Sequence, residues 1–248
     1  MKHPKFILLL VMIVTGKIFA QEVTQSLAPF DKIVVSPKIN VILQKGDKES
    51  ITIQYANINE EEINLEIRHN KLHVFLDGSK LFPKQEKRRE GSYTYKKDKY
   101  NNAIITAFIT YRELKSLEVR GEEEVTVEDA ITSEKFKLKA YGTAEIQIAS
   151  LTTGKFKAKL YGENRLKIKD GEIKSQKYKL FGENKINTEA IESQTITSTI
   201  YGEGLVRVKA SEEMRLTSFG DPNIQLSGSA DLTHRIVIGN PRIRTGAQ

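Results

Sequence analysis

An aromatic residue followed by glycine recurs through the second half of the chain, as Tyr141-Gly142, Tyr161-Gly162, Phe181-Gly182, Tyr201-Gly202 and Phe219-Gly220. Gly121 precedes the set and Gly239 follows it, and the seven glycines are 21, 20, 20, 20, 18 and 19 residues apart. A period this regular is the mark of a stacked supersecondary unit. The fourth and sixth positions after each glycine are Val125/Val127, Ile146/Ile148, Leu166/Ile168, Ile186/Thr188, Val206/Val208, Ile224/Leu226 and Ile243/Thr245, of which twelve of fourteen are apolar. Two residues before each glycine stand Val119, Ala140, Leu160, Leu180, Ile200, Ser218 and Val237. Alternation on both sides of a glycine reads as strand, bend, strand. The glycine supplies a backbone geometry that a Cβ would forbid.

Two architectures can use such a unit: a right-handed parallel β-helix, with one coil per unit in a single-stranded solenoid, and an antiparallel meander, with one hairpin per unit. The β-helix is favoured because equivalent positions keep one residue type over many units, as when side chains stack on copies of themselves. Proline placement agrees, since none lies between Pro83 and Pro222. Strands hydrogen-bonded on both edges exclude it. With coils about 4.8 Å apart, the six glycine intervals make a rod section of about 29 Å. Leucine-rich repeats are excluded by the missing leucine and asparagine spacing, and propeller blades need about twice this period.

The first half alternates less regularly, at Ile39/Val41/Leu43, Ile51/Ile53/Tyr55, Ile63/Leu65/Ile67, Leu72/Val74/Leu76 and Ile105/Ala107/Ile109. These strands are expected to cap or begin the same stack, because an exposed stack end is an aggregation template. Residues 77–102 read as a long loop with Pro83 and Gly91. At the start, Lys2 and Lys5, an apolar run from Phe6 to Val14 and the tripeptide Ile18-Phe19-Ala20 read as a secretory signal peptide over residues 1–20. The run is about half of what spans a bilayer, so no transmembrane segment is expected in the mature chain. The expected organisation is therefore the signal peptide, then one β-helical domain over 21–248, irregular over 21–112 and built of coils of about 20 residues over 113–248.

The chain has no cysteine, and its histidines are His3, His69, His73 and His234. Thiol nucleophiles, thiolate metal sites, disulfides and lipoprotein anchoring are excluded, and zinc or triad chemistry is short of parts. Without the leader the chain holds 36 basic and 32 acidic residues, a net charge of +4. Outside the cytoplasm such an excess points to anionic glycans or envelope surfaces before nucleic acid.

The segments Phe30-Asp31-Lys32-Ile33-Val34-Val35, Ile39-Asn40-Val41 and Gln44-Lys45-Gly46, the aromatic-glycine units and the closing Ile238-Gly239-Asn240-Pro241 resemble, in this order, the head GIN domain family of proposed auto-transporter adhesins. The likeness covers nearly all of residues 28 to 245. It implies an exported bacterial envelope protein with a β-helical fold and an adhesive role, and offers no catalytic residues to transfer.

Five and three residues before the glycines stand Lys137/Lys139, Lys157/Lys159 and Lys177/Lys179. Stacked in register, these six form a two-by-three grid on one face. Neighbours about 4.8 Å apart repel by roughly 0.9 kcal/mol in water, a cost that splayed stems and salt reduce. A solvated face that resists edge pairing explains such a grid. An acidic polysaccharide with charges at matching pitch is the ligand that would neutralise it.

A second basic cluster, Lys84, Lys87, Arg88, Arg89, Lys96, Lys97 and Lys99 with Tyr93, Tyr95 and Tyr100, falls in the 77–102 segment. It reads as a surface loop; lipid head groups or acidic glycan are its alternative contacts, and export argues against nucleic acid. Glu163, Glu183, Glu203 and Asp221 follow the glycines and read as solvated turn residues beside an Asn164/Asn184 ladder, with calcium bridging as the alternative. The aromatic column reads as structural stacking rather than a sugar platform. His69 and His73 lack a third ligand for zinc. No cofactor or metal site is expected.

The sequence thus points to a non-enzymatic exported envelope or cell-surface binding protein, periplasmic or extracellular, whose partners are acidic polysaccharide or envelope components. A β-helical polysaccharide lyase or hydrolase is the enzymatic alternative, disfavoured because short turns leave no long loops to wall a cleft. A purely structural envelope component is the third reading. The oligomeric state is not encoded in these patterns.

Overall fold

The computed structural model describes residues 21–91 and 93–246. In chain order they form β1 (Gln21–Ser26), β2 (Lys32–Val35), β3 (Asn40–Lys45), β4 (Ser50–Ala56), a 3-10 turn (Glu60–Glu62), β5 (Ile63–Arg68), β6 (Lys71–Leu76), β7 (Gln85–Glu90), β8 (Tyr93–Asp98) and β9 (Ile104–Tyr111). There follow β10 (Ser116–Gly121), β11 (Glu124–Gly142), β12 (Glu145–Gly162), β13 (Arg165–Ile168), β14 (Gly171–Phe181), β15 (Asn184–Tyr201), β16 (Gly204–Phe219), β17 (Asn223–Ser227), β18 (Asp231–Ile238) and β19 (Arg242–Gly246). The segment read as a leader, residues 1–20, lies outside the described residues.

From β10 onward every pairing is parallel, and the fold is the β-solenoid that the repeat predicts. One column of strands runs into the glycines: β10, β11, β12, β14, β15, β16 and β18, with Leu117 opposite Leu138, Ala158, Tyr178, Ser198, Leu216 and His234 in turn. A second column leaves the glycines, stacking Val125, Ile146, Leu166, Ile186, Val206, Ile224 and Ile243. Strands as long as β11, β12 and β15 bend at the corners and serve both columns and a third, shorter face between them. Register shifts between Val127 and Ala130 and around Thr188–Thr195 absorb the coils that depart from 20 residues.

Alternation sends one side of each strand from β10 to β17 into a continuous apolar core. In the coil after Gly142 the buried positions are Ala144, Ile146, Ile148, Leu151, Thr153, Phe156, Ala158 and Leu160. Bulk is balanced along the axis: Tyr178 lies between Ala158 below and Ser198 above. Its hydroxyl donates to Gln176 Oε1, which also accepts from Thr188 Oγ1 at 3.1 Å, while Gln176 Nε2 donates to Ser193 Oγ at 2.6 Å. A polar cluster closes on itself inside the core.

The glycine column is a steric necessity. From Gly121 to Gly239 the seven glycines have φ between +94° and +128°. A Cβ on each from Gly142 onward would lie 2.1–2.7 Å from the carbonyl oxygen of the glycine one coil below. That neighbour is backbone and cannot yield.

The amino-terminal strands enter the stack out of chain order. β6 pairs in parallel with β2, and β2 with β10, so the first coil in the stack is β6 and β9 and the second is the earlier β2 and β3. Residues 112–115 carry the chain past the β2–β3 coil to its far side. Antiparallel strands then cap the end: β5 on β6, β4 on β9 and β1 on β4. The β5–β6 hairpin turns at His69 and Asn70, both at positive φ, the geometry of the two-residue turn that matches strand twist. The irregular half therefore begins the stack and lays antiparallel strands over its amino-terminal end.

The reading of 77–102 as a loop is corrected. It contains the antiparallel hairpin β7–β8, turning at Gly91 with φ +61°. Its strands carry polar and charged residues on both faces, so no alternation of apolar residues signals them. Tyr100 at its base is buried and donates to the Asp77 carbonyl at 2.9 Å, anchoring the excursion to the body.

Candidate ligand-binding face

Outward positions of the first column form one flat face. Lys137 lies opposite Lys157 and Lys157 opposite Lys177; Lys139, Lys159 and Lys179 are matched in the same way. The six lysines thus occupy a two-by-three grid, as the repeat predicts. Lys135 opposite Lys155 extends it by a row that the sequence reading left out, although the same offset from the glycine identifies it. Lys137, Lys157 and Lys177 are exposed. At the centre, the ammonium of Lys157 is held below its ordinary pKa, by desolvation first and then by Lys155, Lys177, Lys137 and Lys135. The charge there is crowded, and only the margins are compensated, Lys135 by Glu134 at 3.0 Å and Lys139 by Glu118 at 3.3 Å.

The grid has defined ends. Toward the amino terminus Lys139 is matched by Glu118, 3.3 Å away, which also accepts from the Arg120 guanidinium. Burial raises the Glu118 pKa, yet Arg120 and Lys139 outweigh it and the carboxyl stays below its ordinary value. In the other direction Lys177 and Lys179 give way to Thr197 and Thr199. The lysine columns are therefore three coils long.

Beside them on the same face runs the aromatic column. Tyr141, Tyr161, Phe181, Tyr201 and Phe219 stack with centroids 4.8–5.0 Å apart and planes within 5°. Each ring spends its faces on its neighbours and turns an edge outward, which suits packing and leaves no platform for sugar stacking along the column. Opposite Tyr141 stands Arg120, and opposite Phe219 stands Ile238.

The base of the β7–β8 hairpin adjoins this face. Arg120 donates to the Lys80 carbonyl at 2.7 Å, and Leu81, Phe82 and Pro83 with Arg120 and Tyr141 line a cavity of about 310 Å³. Within the basic cluster Lys84 pairs with Asp77 at 3.1 Å and Lys99 with Glu62, which holds the Lys99 pKa above its ordinary value. Lys87 and Lys96 face each other across the hairpin and are exposed.

The remaining candidates lie elsewhere on the coils. Asn164 and Asn184 are buried, and Asn184 Oδ1 accepts from Asn164 N at 3.2 Å and Nδ2 at 3.1 Å, a ladder as read from the repeat. Glu163, Glu183, Glu203 and Asp221 are exposed, and among the described residues no three His, Cys, Asp or Glu gather to hold a metal. His73 Nε2 lies 2.8 Å from Ser36 Oγ, whose proton goes to the Lys80 carbonyl, so the ring donates. Burial, with Arg120 and Lys80 nearby, lowers the His73 pKa to about 4.

The described residues thus form a parallel β-solenoid with antiparallel strands over one end and a cationic face along one side. The chain belongs to the family described as "Putative auto-transporter adhesin, head GIN domain", which it matches over residues 29–230. Crystal structures with this fold include a putative adhesin of Bacteroides fragilis, with TM-score 0.73 and 18% identity over 92% of this chain and 97% of that one. A putative adhesin of Parabacteroides merdae gives TM-score 0.68 and 14% identity over 94% and 97%. A protein of Parabacteroides distasonis described as lipid binding gives TM-score 0.64 and 11% identity over 91% and 96%. No curated protein matches the chain in sequence. No helix among the described residues is long and apolar enough to cross a membrane.

Proposed function

We propose that the protein is an exported, non-enzymatic adhesin of the bacterial envelope or cell surface that binds acidic glycans through Lys137, Lys139, Lys157, Lys159, Lys177 and Lys179. The observation that carries this reading is the stacking of lysines at fixed pitch around Lys157, whose ammonium is held below its ordinary pKa by desolvation and then by Lys155, Lys177, Lys137 and Lys135. A polyanion laid on this face relieves that repulsion and releases counterions, so retention should fall steeply with salt. The face is flat and carries no paired carboxylates in a cleft, which favours holding a chain over cleaving one.

Replacing all six lysines with Gln is expected to abolish retention on an acidic-glycan matrix while the fold is kept. Unchanged retention would remove the grid from the function. Anionic-lipid vesicles form the second arm: binding to vesicles without glycan retention reassigns the face to a lipid surface. Release of reducing or unsaturated sugar from the matrix would show the enzymatic alternative instead.

A further inference from the structure

Among the described residues both ends of the solenoid expose unpaired strand edges, and both are stepped. At the amino-terminal end β4 and β5 share a level, and β1 projects one strand beyond them with no partner across the coil among the described residues. At the carboxy-terminal end β17 and β18 share a level, and β19 projects beyond them in the same way. Each end therefore offers one protruding strand and one recess. A step fits a step when one end is turned about the axis.

The two ends differ in charge and in surface. The amino-terminal recess is an open groove of about 880 Å³ between β1 and β5, with Val23, Ile63 and Leu65 along it and Glu60 and Glu61 at its rim. Glu22, Glu60 and Glu61 are exposed and make no ion pair among the described residues. The carboxy-terminal end bears Arg235, Arg242 and Arg244, likewise exposed and without an ion pair among the described residues. In the same last coil Ile236 and Ile238, in register with Thr217 and Phe219, are more than half exposed. An isologous contact of two carboxy-terminal ends would bring arginines against arginines, whereas a carboxy-terminal end against an amino-terminal one pairs opposite charges over apolar surface.

We propose that copies of this chain associate head to tail, the β18–β19 end of one entering the β1–β5 groove of the next. The contact is heterologous, so it propagates and makes a rod of stacked solenoids rather than a closed dimer. Successive lysine faces are then carried along one fibre, and multivalent binding follows from modest contacts at each protomer.

The test is sedimentation of the purified protein over a concentration series at low and high salt. The weight-average mass is expected to climb past twice the protomer mass at low salt without a plateau, and to fall back at high salt. The double variants Glu60→Lys/Glu61→Lys and Arg242→Glu/Arg244→Glu, all at exposed positions, should each be monomeric, and their equimolar mixture should assemble because every mixed junction is again of opposite charge. Circular dichroism establishes that both fold. A protein monomeric under all conditions, a plateau at twice the protomer mass, or a mixture that stays monomeric would overturn the proposal. A monomeric protein that still retains glycan keeps the lysine-face reading, and a protein that assembles without retaining glycan keeps this one, so the two readings fail separately.

Discussion

Gly162→Ala strikes at what holds successive coils together. The native φ is +106°, a conformation that costs an L-residue about 1–3 kcal/mol, and the added Cβ would lie 2.1 Å from the Gly142 carbonyl oxygen. Relief requires the two backbones to part at a turn where Glu163 N donates to the same oxygen at 2.9 Å, a bond worth about 1 kcal/mol. The expected loss is thus about 3 kcal/mol or more. Gly154→Ala is the control, because Gly154 lies within a strand without positive φ and its Cβ would meet only the Glu134 carbonyl, at 3.2 Å. There a small steric cost opposes the gain of about 0.4–1 kcal/mol from a stiffer unfolded chain, and the net change should be near zero. Urea unfolding followed by circular dichroism measures both. If the two variants unfold at the same urea concentration, the glycine column is not the constraint described here.

Three further outcomes follow from the core and the charged face. Gln176→Leu strands the Ser193 hydroxyl in an apolar interior and leaves the Tyr178 and Thr188 hydroxyls, 3.1 Å apart, with only each other, and should cost about 1–3 kcal/mol in the same unfolding assay. His73 has a folded pKa of about 4 against an ordinary 6.5, so the unfolded chain binds the proton more readily between those values; stability is full above pH 6.5 and declines as pH falls toward 4. The groups facing it are Arg120, Lys80, Glu66 and Glu118, and His73→Gln should flatten that limb of the pH–stability profile. The six-lysine Gln variant should unfold at a higher temperature than the parent at low salt and lose that advantage as salt screens the grid.

The regular half was legible because glycine at fixed intervals carries both period and register. Once Gly142 stacks on Gly121, the inward positions Ile146 and Leu160 and the outward Lys137 and Lys139 follow by counting. The third face, with Ile131, Leu151 and Ile191 buried, escaped because bulges between Val127 and Ala130 and near Thr188 break the count there. The order of the first coils is not encoded in alternation, since β2 and β6 present the same apolar pattern and only pairing in space decides which is outermost. Among the described residues the β7–β8 hairpin has no buried face, so hydrophobic periodicity had nothing to report. Within the face, the lysine grid was readable as an offset from glycine, whereas Glu118 and Arg120 at its end come from a coil with no aromatic before its glycine.

Spin labels read the stacking directly, and a chain without cysteine accepts them at chosen sites. Lys137, Lys157, Lys177, Thr197 and Arg215 occupy one outward column, four intervals from first to last. With Cys at 137 and 215, electron–electron dipolar spectroscopy should give a distance near 19 Å, about 4.8 Å for each interval. A distance near 38 Å, two strand spacings per unit, would mean that each unit is a hairpin and that the lysine columns do not exist.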